Sequence, residues 1–177
     1  KKKFTGSFGI GCFSFFPTKN ITTAEGGMIT TQNKNYYKFF KSLIAHGIEK
    51  KKNKKDFWKR EATLAGHNYR LPNHLALLGS LQLKKIEIFL KHRRSIAKKY
   101  DIFFNKYQNI FSVQKVDKNY THSYQMYTIL MKNHKMRNDL IFFLKKNNIE
   151  TSVHFEPPLH QQNYLKKYCS SSLINTE

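Results

Sequence analysis

The stretch from Gly9 to Thr31 constrains the fold more than any other part of the chain, because it sets two strands and the loop between them. Gly9-Ile10-Gly11-Cys12-Phe13-Ser14-Phe15 is apolar, opened by glycine and followed by Pro17, which predicts a short buried strand. Gly27-Met28-Ile29-Thr30-Thr31 brings β-branched residues behind a Gly-Gly entry and predicts a second. The loop between them turns at Pro17 and carries Lys19. An amine beside an apolar strand end has a chemical meaning. Lysine is a nucleophile only when partly deprotonated, and desolvation favours the neutral form. A Schiff base to a carbonyl cofactor could form there. The same position also suits a lysine that lays its stem on apolar surface and keeps its ammonium in water.

Downstream, Tyr36, Phe39, Phe40, Leu43 and Ile44 recur at helical spacing. Asn33 or Asn35 can cap that helix, and Gly47 can end it. Residues 49–65 read as a charged loop anchored by Trp58. Residues 66–73 form a turn in which Pro72 disfavours helical geometry at Leu71. Asn73 then caps a long helix running from about His74 to Asn105. Its stripe is Ile86, Phe89 or Leu90, Ala97, Tyr100 and Phe104, with a bend near Arg93-Arg94. A polar linker leads to a strand over Tyr124–Met131. A helix with Met136, Leu140, Phe143 and Leu144 on one face follows, then a strand over Ile149–Phe155 closed by Pro157-Pro158. Strands and helices alternate in this second half, which suits an α+β unit.

Composition removes some function classes. No apolar run reaches the roughly 20 residues of a membrane span, and nothing resembles a signal peptide. The two cysteines, Cys12 and Cys169, lie far apart without metal-ligand spacing, which suits structural thiols in a reducing cytoplasm. The eight histidines show no ligand spacing either, so no metal site is expected. The net charge of +21 raises nucleic-acid binding as an alternative, through counterion release from phosphate. The excess is mostly lysine and accompanies abundant Asn, Ile, Phe and Tyr, the signature of an AT-rich coding sequence. Runs such as Lys50-Lys51-Lys52-Asn53-Lys54-Lys55 lack the interleaved aromatics of a base-stacking platform. Both ends of the sequence read as cut, and a fragment is expected.

Three blocks in order carry a family likeness: CFSFFPTKNITTAEGGMITT, AGHNYRLPNHLALLGSLQLKKI, and HSYQMYTILM with ETSVHFEPPLHQQNY. Together they resemble the DegT/StrS-type nucleotide-sugar aminotransferases, fold-type-I enzymes that use pyridoxal 5'-phosphate (PLP). The resemblance implies an α/β fold: the end of the large PLP-binding domain over residues 1–72, a long connecting helix over 73–105, and a small α+β domain over 106–177, truncated at its C-terminus. It implies that Lys19 holds PLP as a Schiff base and then moves the proton. Ser14 would hydrogen-bond the cofactor phosphate, where a hydroxyl is a short donor without bulk. Asn68 would reach the phosphate from a neighbouring subunit, so that a homodimer shares its active sites. Arg70 would contact the nucleotide phosphates or pair with a carboxylate. His154 and His160 fall near the sugar pocket.

The implied reaction moves an amino group, from glutamate, onto a UDP- or dTDP-linked keto-sugar in cytoplasmic bacterial surface-glycan synthesis. A related branch of the family has histidine in place of the lysine and dehydrates instead; Lys19 favours transfer. An inactive fragment or paralogue is the alternative within the family. The sequence also departs from the family pattern. Gln125 stands where many members have histidine, Asn163 replaces a usual proline, and Gly9-Ile10 lacks an aspartate often found there. The aspartate for the pyridine nitrogen, the ring-stacking aromatic, a Gly-Thr phosphate loop, and the C-terminal strand and helix lie outside the resemblance. The fragment alone is expected to be inactive.

Overall fold

The computed structural model describes residues 4–48, 58–169 and 173. The chain divides into two compact units, Lys1–Lys106 with Gln114–Thr128, and Tyr107–Val113 with Ile129–Glu177.

In the first unit, strands β1 (Ile10–Ser14) and β2 (Gly27–Thr31) pair antiparallel, with Ile10 opposite Thr31 and Ser14 opposite Gly27. Both strands form where the sequence predicts them. Their burial does not follow: only Gly11 of β1 is buried, while Phe13, Met28 and Ile29 are exposed. A two-stranded sheet packed mainly by one helix on β2 has too little cover to bury both faces.

That helix is α1 (Lys34–Leu43). Asn33 is its cap, accepting from the N–H groups of Asn35 at 2.8 Å and Tyr36 at 3.2 Å. Phe40, Leu43 and Ile44 are half-buried, whereas Tyr36 and Phe39 face outward. The helix stops at Leu43, before Gly47, through His46 and Gly47 in the left-handed region (φ 64° and 71°) and a bond from the Gly47 N–H to the Ser42 carbonyl. The charged loop expected at 49–65 lies partly outside the described residues. Trp58, its expected anchor, is 63% exposed.

The single long helix expected from His74 to Asn105 is two, α2 (Asn73–Leu83) and α3 (Ile86–Phe104). The step falls at Lys84 and Lys85, where the Lys85 N–H turns to the Gln82 carbonyl three residues back, at 2.9 Å. Arg93 and Arg94 are interior to α3 rather than at a bend. The halves follow different partners, described below, and the adjustment is made at two exposed lysines. Asn73 does not cap: Pro72 holds the cap position without a side-chain bond, and Asn73 is the first helical residue. Of the expected α3 stripe, Ala97 is buried and Ile86, Phe89, Leu90 and Phe104 are half-buried, but Tyr100 is exposed. Arg93, Ala97 and Asp101 share a face at i, i+4 and i+8.

The strand expected over Tyr124–Met131 is mostly irregular. Tyr124 takes a left-handed φ of 47°, which no ladder accommodates, and only β4 (Ile129–Met131) is extended and paired. Its partner β3 (Phe111–Val113) falls within the expected polar linker. These two belong to the second unit, with α4 (His134–Lys146) against β4. Asn133 caps α4 by accepting from the Met136 N–H at 2.9 Å. Met136, Leu140 and Leu144 are half-buried together with Ile141, but Phe143 is 62% exposed and not part of the stripe. Ile149–Phe155 forms no strand, because among the described residues no second strand pairs with it. Past Pro157-Pro158 the chain makes single 3-10 turns at Leu159–Gln161 and Lys166–Tyr168.

Cys12 and Cys169 are both free and exposed, not buried. Among the described residues, no helix is long and apolar enough to cross a membrane.

Candidate functional site: a lysine loop held from both sides

The loop between β1 and β2 is closed by one residue. The Phe15 N–H donates to the Gly26 carbonyl at 2.9 Å, and the Phe15 carbonyl accepts from the Thr23 N–H at 3.0 Å and the Thr22 hydroxyl at 2.8 Å. Thr23 is fully buried and its hydroxyl donates to the Glu25 carbonyl at 2.7 Å. Within this closed loop, the Lys19 N–H donates to the Phe16 carbonyl at 3.0 Å, and Pro17 occupies the second position of that turn. The Lys19 side chain is half-buried and makes no hydrogen bond or ion pair among the described residues. Ser14, at the end of β1, is exposed. Its oxygen accepts from the Phe16 N–H at 3.3 Å, so its own proton is free to donate outward. The Asn20 side-chain oxygen is buried without a partner among the described residues, and Asn20 lines an open cleft of about 560 Å³ with Ile88, Phe89, His92, Arg93 and Ile96.

Helix α2 fixes the far side of the loop. The Thr22 N–H donates to the Gln82 Oε1 at 3.0 Å, and the Gln82 Nε2 donates to the Thr22 carbonyl at 2.9 Å. One carboxamide thus satisfies both backbone groups of a loop residue, as a neighbouring strand would. The helix comes this close because Gly79 has no side chain: a Cβ there would lie 2.8 Å from the Thr23 methyl.

Helix α3 reaches the near side through a second segment. Arg93 donates to the carbonyls of Tyr124 at 3.1 Å and Gln125 at 3.2 Å, and Arg94 to that of His122 at 3.1 Å. The Tyr127 hydroxyl donates to Asp101 at 2.6 Å, and its ring lies among Tyr100, Phe104 and Tyr124. Burial, and then Asp101, push the Tyr127 phenol well above its ordinary range. From this pinned segment the Gln125 Nε2 donates to the Thr18 carbonyl at 3.2 Å, one residue before Lys19.

Asn68 and Arg70 lie together on a segment tied to the end of α1. The His67 N–H donates to the Leu43 carbonyl, and the Tyr69 N–H to that of Ile44. Arg70 Nε donates to the Asn68 side-chain oxygen at 3.0 Å, and its Nη2 lies 3.4 Å from His46 Nε2, which must accept because a guanidinium only donates. Both residues are exposed.

His154 and His160 belong to the second unit. His154 is exposed, with Nε2 2.8 Å from the Ser152 hydroxyl, and His160 is half-buried in the turn 159–161. Arg137 of α4 forms an ion pair with Glu156 on the same segment. Among the described residues, no three His, Cys, Asp or Glu side chains gather to hold a metal ion.

The sequence drew attention to Gln125 and Arg93 but not to these contacts, and gave no sign of Gln82 or the Tyr127–Asp101 pair. The polar positions 93 and 101 on the buried face of α3 were the available signal. The glutamine contacts, separated by 60 and 107 residues, leave no local trace.

Comparison with known proteins agrees with the three sequence blocks. GDP-perosamine synthase of Escherichia coli O157:H7 is 34% identical over 169 residues, covering 95% of this chain and 44% of that protein. The solved structure of PseC from Helicobacter pylori, described as an aminotransferase of pseudaminic acid biosynthesis, superposes with a TM-score of 0.80 at 31% identity. That match covers 94% of this chain and 44% of PseC. The E. coli GDP-4-keto-6-deoxy-D-mannose-3-dehydratase with bound hydrated PLP gives 0.79 at 27% identity, over 94% of this chain and 46% of its own. The chain therefore spans a little under half the length of these relatives. Its architecture is part of the fold-type-I α/β fold, as expected. With the model of that family matching residues 1–177, the chain belongs to the DegT/DnrJ/EryC1/StrS aminotransferase family.

Proposed function

We propose that this chain supplies the lysine-bearing portion of a PLP-dependent enzyme that transfers an amino group from glutamate to a nucleotide-linked keto-sugar. The observation that carries the reading is the Lys19 loop: an amine without a partner among the described residues, on a backbone closed at Phe15, following a strand that ends in a hydroxyl, Ser14, whose proton is free. The donor set fits a phosphorylated aldehyde. Ser14 can donate to an anionic oxygen, and no carboxylate of the loop is paired with Lys19. When bound, PLP supplies the electron sink for a carbanion.

The chain's residues supply position and proton transfer. Lys19 holds the cofactor and then carries a proton to and from the reacting carbon. Ser14 binds the phosphate. Asn68 reaches the phosphate bound by a second copy, which makes the working unit a homodimer with shared sites. Arg70, exposed and held by Asn68 and His46, binds the nucleotide's phosphates, and His154 and His160 line the sugar's path. Residues 1–72 act as the cofactor-binding portion, 73–105 as the connecting helices and 106–177 as the smaller domain. The sequence reading favours UDP or dTDP, and the GDP in the E. coli synthase's name extends the class to nucleoside diphosphates generally. Lys19 favours transfer over dehydration, the activity named for the other E. coli relative. The setting is cytoplasmic surface-glycan synthesis.

The test uses a polypeptide of the relatives' length that carries this sequence. It should take up PLP with a visible absorption band and move ¹⁵N from glutamate to a nucleotide keto-sugar. Lys19→Ala should abolish both. Undiminished uptake and transfer in that variant would reject the reading.

A further inference from the structure

We infer that Gln82 and Gln125 are positioning residues for Lys19, one on each side of it. The inference rests on the proposed role of Lys19. Its grounds are geometric: Gln125 holds the carbonyl of Thr18, immediately before the lysine, and Gln82 holds both backbone groups of Thr22, three residues after it. Neither carboxamide is held by the loop alone. Gln82 stands on α2, brought within reach because Gly79 lets the helix close on Thr23. Gln125 stands on the segment that Arg93 grips from α3, beside Tyr124 in its left-handed conformation.

Most of the loop's internal bonds close it at its base, on Phe15 and among Thr22, Thr23 and Glu25, while the tip holds one turn bond, from the Lys19 N–H to the Phe16 carbonyl. None of these internal bonds ties the tip, Thr18 to Ile21, to another element. The two glutamines tie Thr18, the tip's first residue, and Thr22, the residue just after it, to the body of the unit. A misplacement of about 1 Å at a reacting group costs on the order of 10²-fold in rate. A tip free to rock by that much would carry Lys19 out of line while leaving the fold intact. Glutamine suits the task because its amide is neutral: it can meet an N–H and a C=O together without placing a charge near the amine.

The test compares Gln82→Ala, Gln125→Ala and the double variant with the parent, in the PLP-loaded polypeptide of the relatives' length. Each single variant should lower kcat about 10- to 100-fold while leaving the KM for the sugar nucleotide within about twofold. Hydrogen exchange at the Thr22 amide should quicken in Gln82→Ala but not in Gln125→Ala. Reaction of the Lys19 amine with an acylating reagent at fixed pH, read peptide by peptide in the cofactor-free protein, should change its rate profile in both, with other lysines unaffected. Gln82→Glu should keep the Thr22 N–H bond and lose the one to its carbonyl, giving an intermediate rate; Gln125→His, which retains a ring N–H donor, should recover part of the loss. Equal falls in all properties together with a lower unfolding midpoint would mean a merely structural role and overturn the proposal. So would unchanged kcat and an unchanged Lys19 profile. If Lys19→Ala itself keeps full activity, the parent reading fails instead, and the exchange and acylation data still decide whether the glutamines fix the tip.

Discussion

Of the three stretches that carry candidate site residues, the first and the last are held in opposite ways. The Lys19 loop is fixed by side chains from 60 and 107 residues away, on two different helices or the segment one of them grips. The stretch around His154 and His160 shows ties of shorter range: Ser152 to His154, Gln162 to the Pro157 carbonyl, and the Arg137–Glu156 pair from α4. Long-range ties fix a group relative to the fold, whereas local ties fix only the shape of a segment. The first suits an amine that must meet one carbon in one geometry. The second suits contacts that differ from one sugar to the next, where each group is worth about 1–3 kcal/mol.

Substitutions can break this contrast. The largest effect belongs to Lys19→Ala, which should lower amino transfer by at least about 10²–10⁴-fold in steady-state assays. His154→Ala should change KM for the sugar nucleotide more than kcat. If the histidine variant matched the lysine variant, the contrast would disappear. Next comes Gly79→Ala. Its Cβ would meet the methyl of fully buried Thr23 at 2.8 Å, and the overpacking should cost about 1–3 kcal/mol in urea titration while loosening the lysine loop.

The helix caps give a matched pair across the two units. Asn33→Ala removes two accepted bonds and Asn133→Ala one, each costing about 1 kcal/mol, with the larger loss at Asn33. Tyr127 gives a pH-dependent effect. Burial and Asp101 raise its folded pKa, so the native state keeps a proton that the unfolded chain releases near pH 10. Its stabilisation is complete below that pH and is lost as pH rises toward the folded value. The stability gap between parent and Tyr127→Phe should therefore narrow above about pH 10. The smallest effect is expected at Arg137→Ala, whose partly exposed pair with Glu156 should be worth about 0–1 kcal/mol, and less in high salt.

The same contrast explains what could be read from the sequence. β1, β2, α1 and α4 follow local periodicity and turn residues; the sequence marks both strands within a residue, and places both helices, although α1 stops before Gly47 and Phe143 leaves the α4 stripe. Asn33 and Asn133 cap through their own neighbours. The step at Lys84–Lys85 has no proline or glycine to announce it; it reflects the separate partners of α2 and α3. Tyr124–Thr128 has the composition of a strand, but Arg93 claims its carbonyls and the ladder never forms. The exposure of β1 and β2 was illegible for another reason: an apolar strand states what it could bury, not what covers it. At the candidate site, Lys19 and Ser14 were legible through the motif. The glutamines that hold the loop were not, because only the folded chain brings them there.

The most direct test is to load a polypeptide of the relatives' length with PLP, reduce it with borohydride so that the cofactor stays on the amine that holds it, and map the added mass by peptide. The proposed role of Lys19 requires the label on that residue, at about one per chain, and none after Lys19→Ala. Label on another lysine, or none on a catalytically active protein, would contradict it.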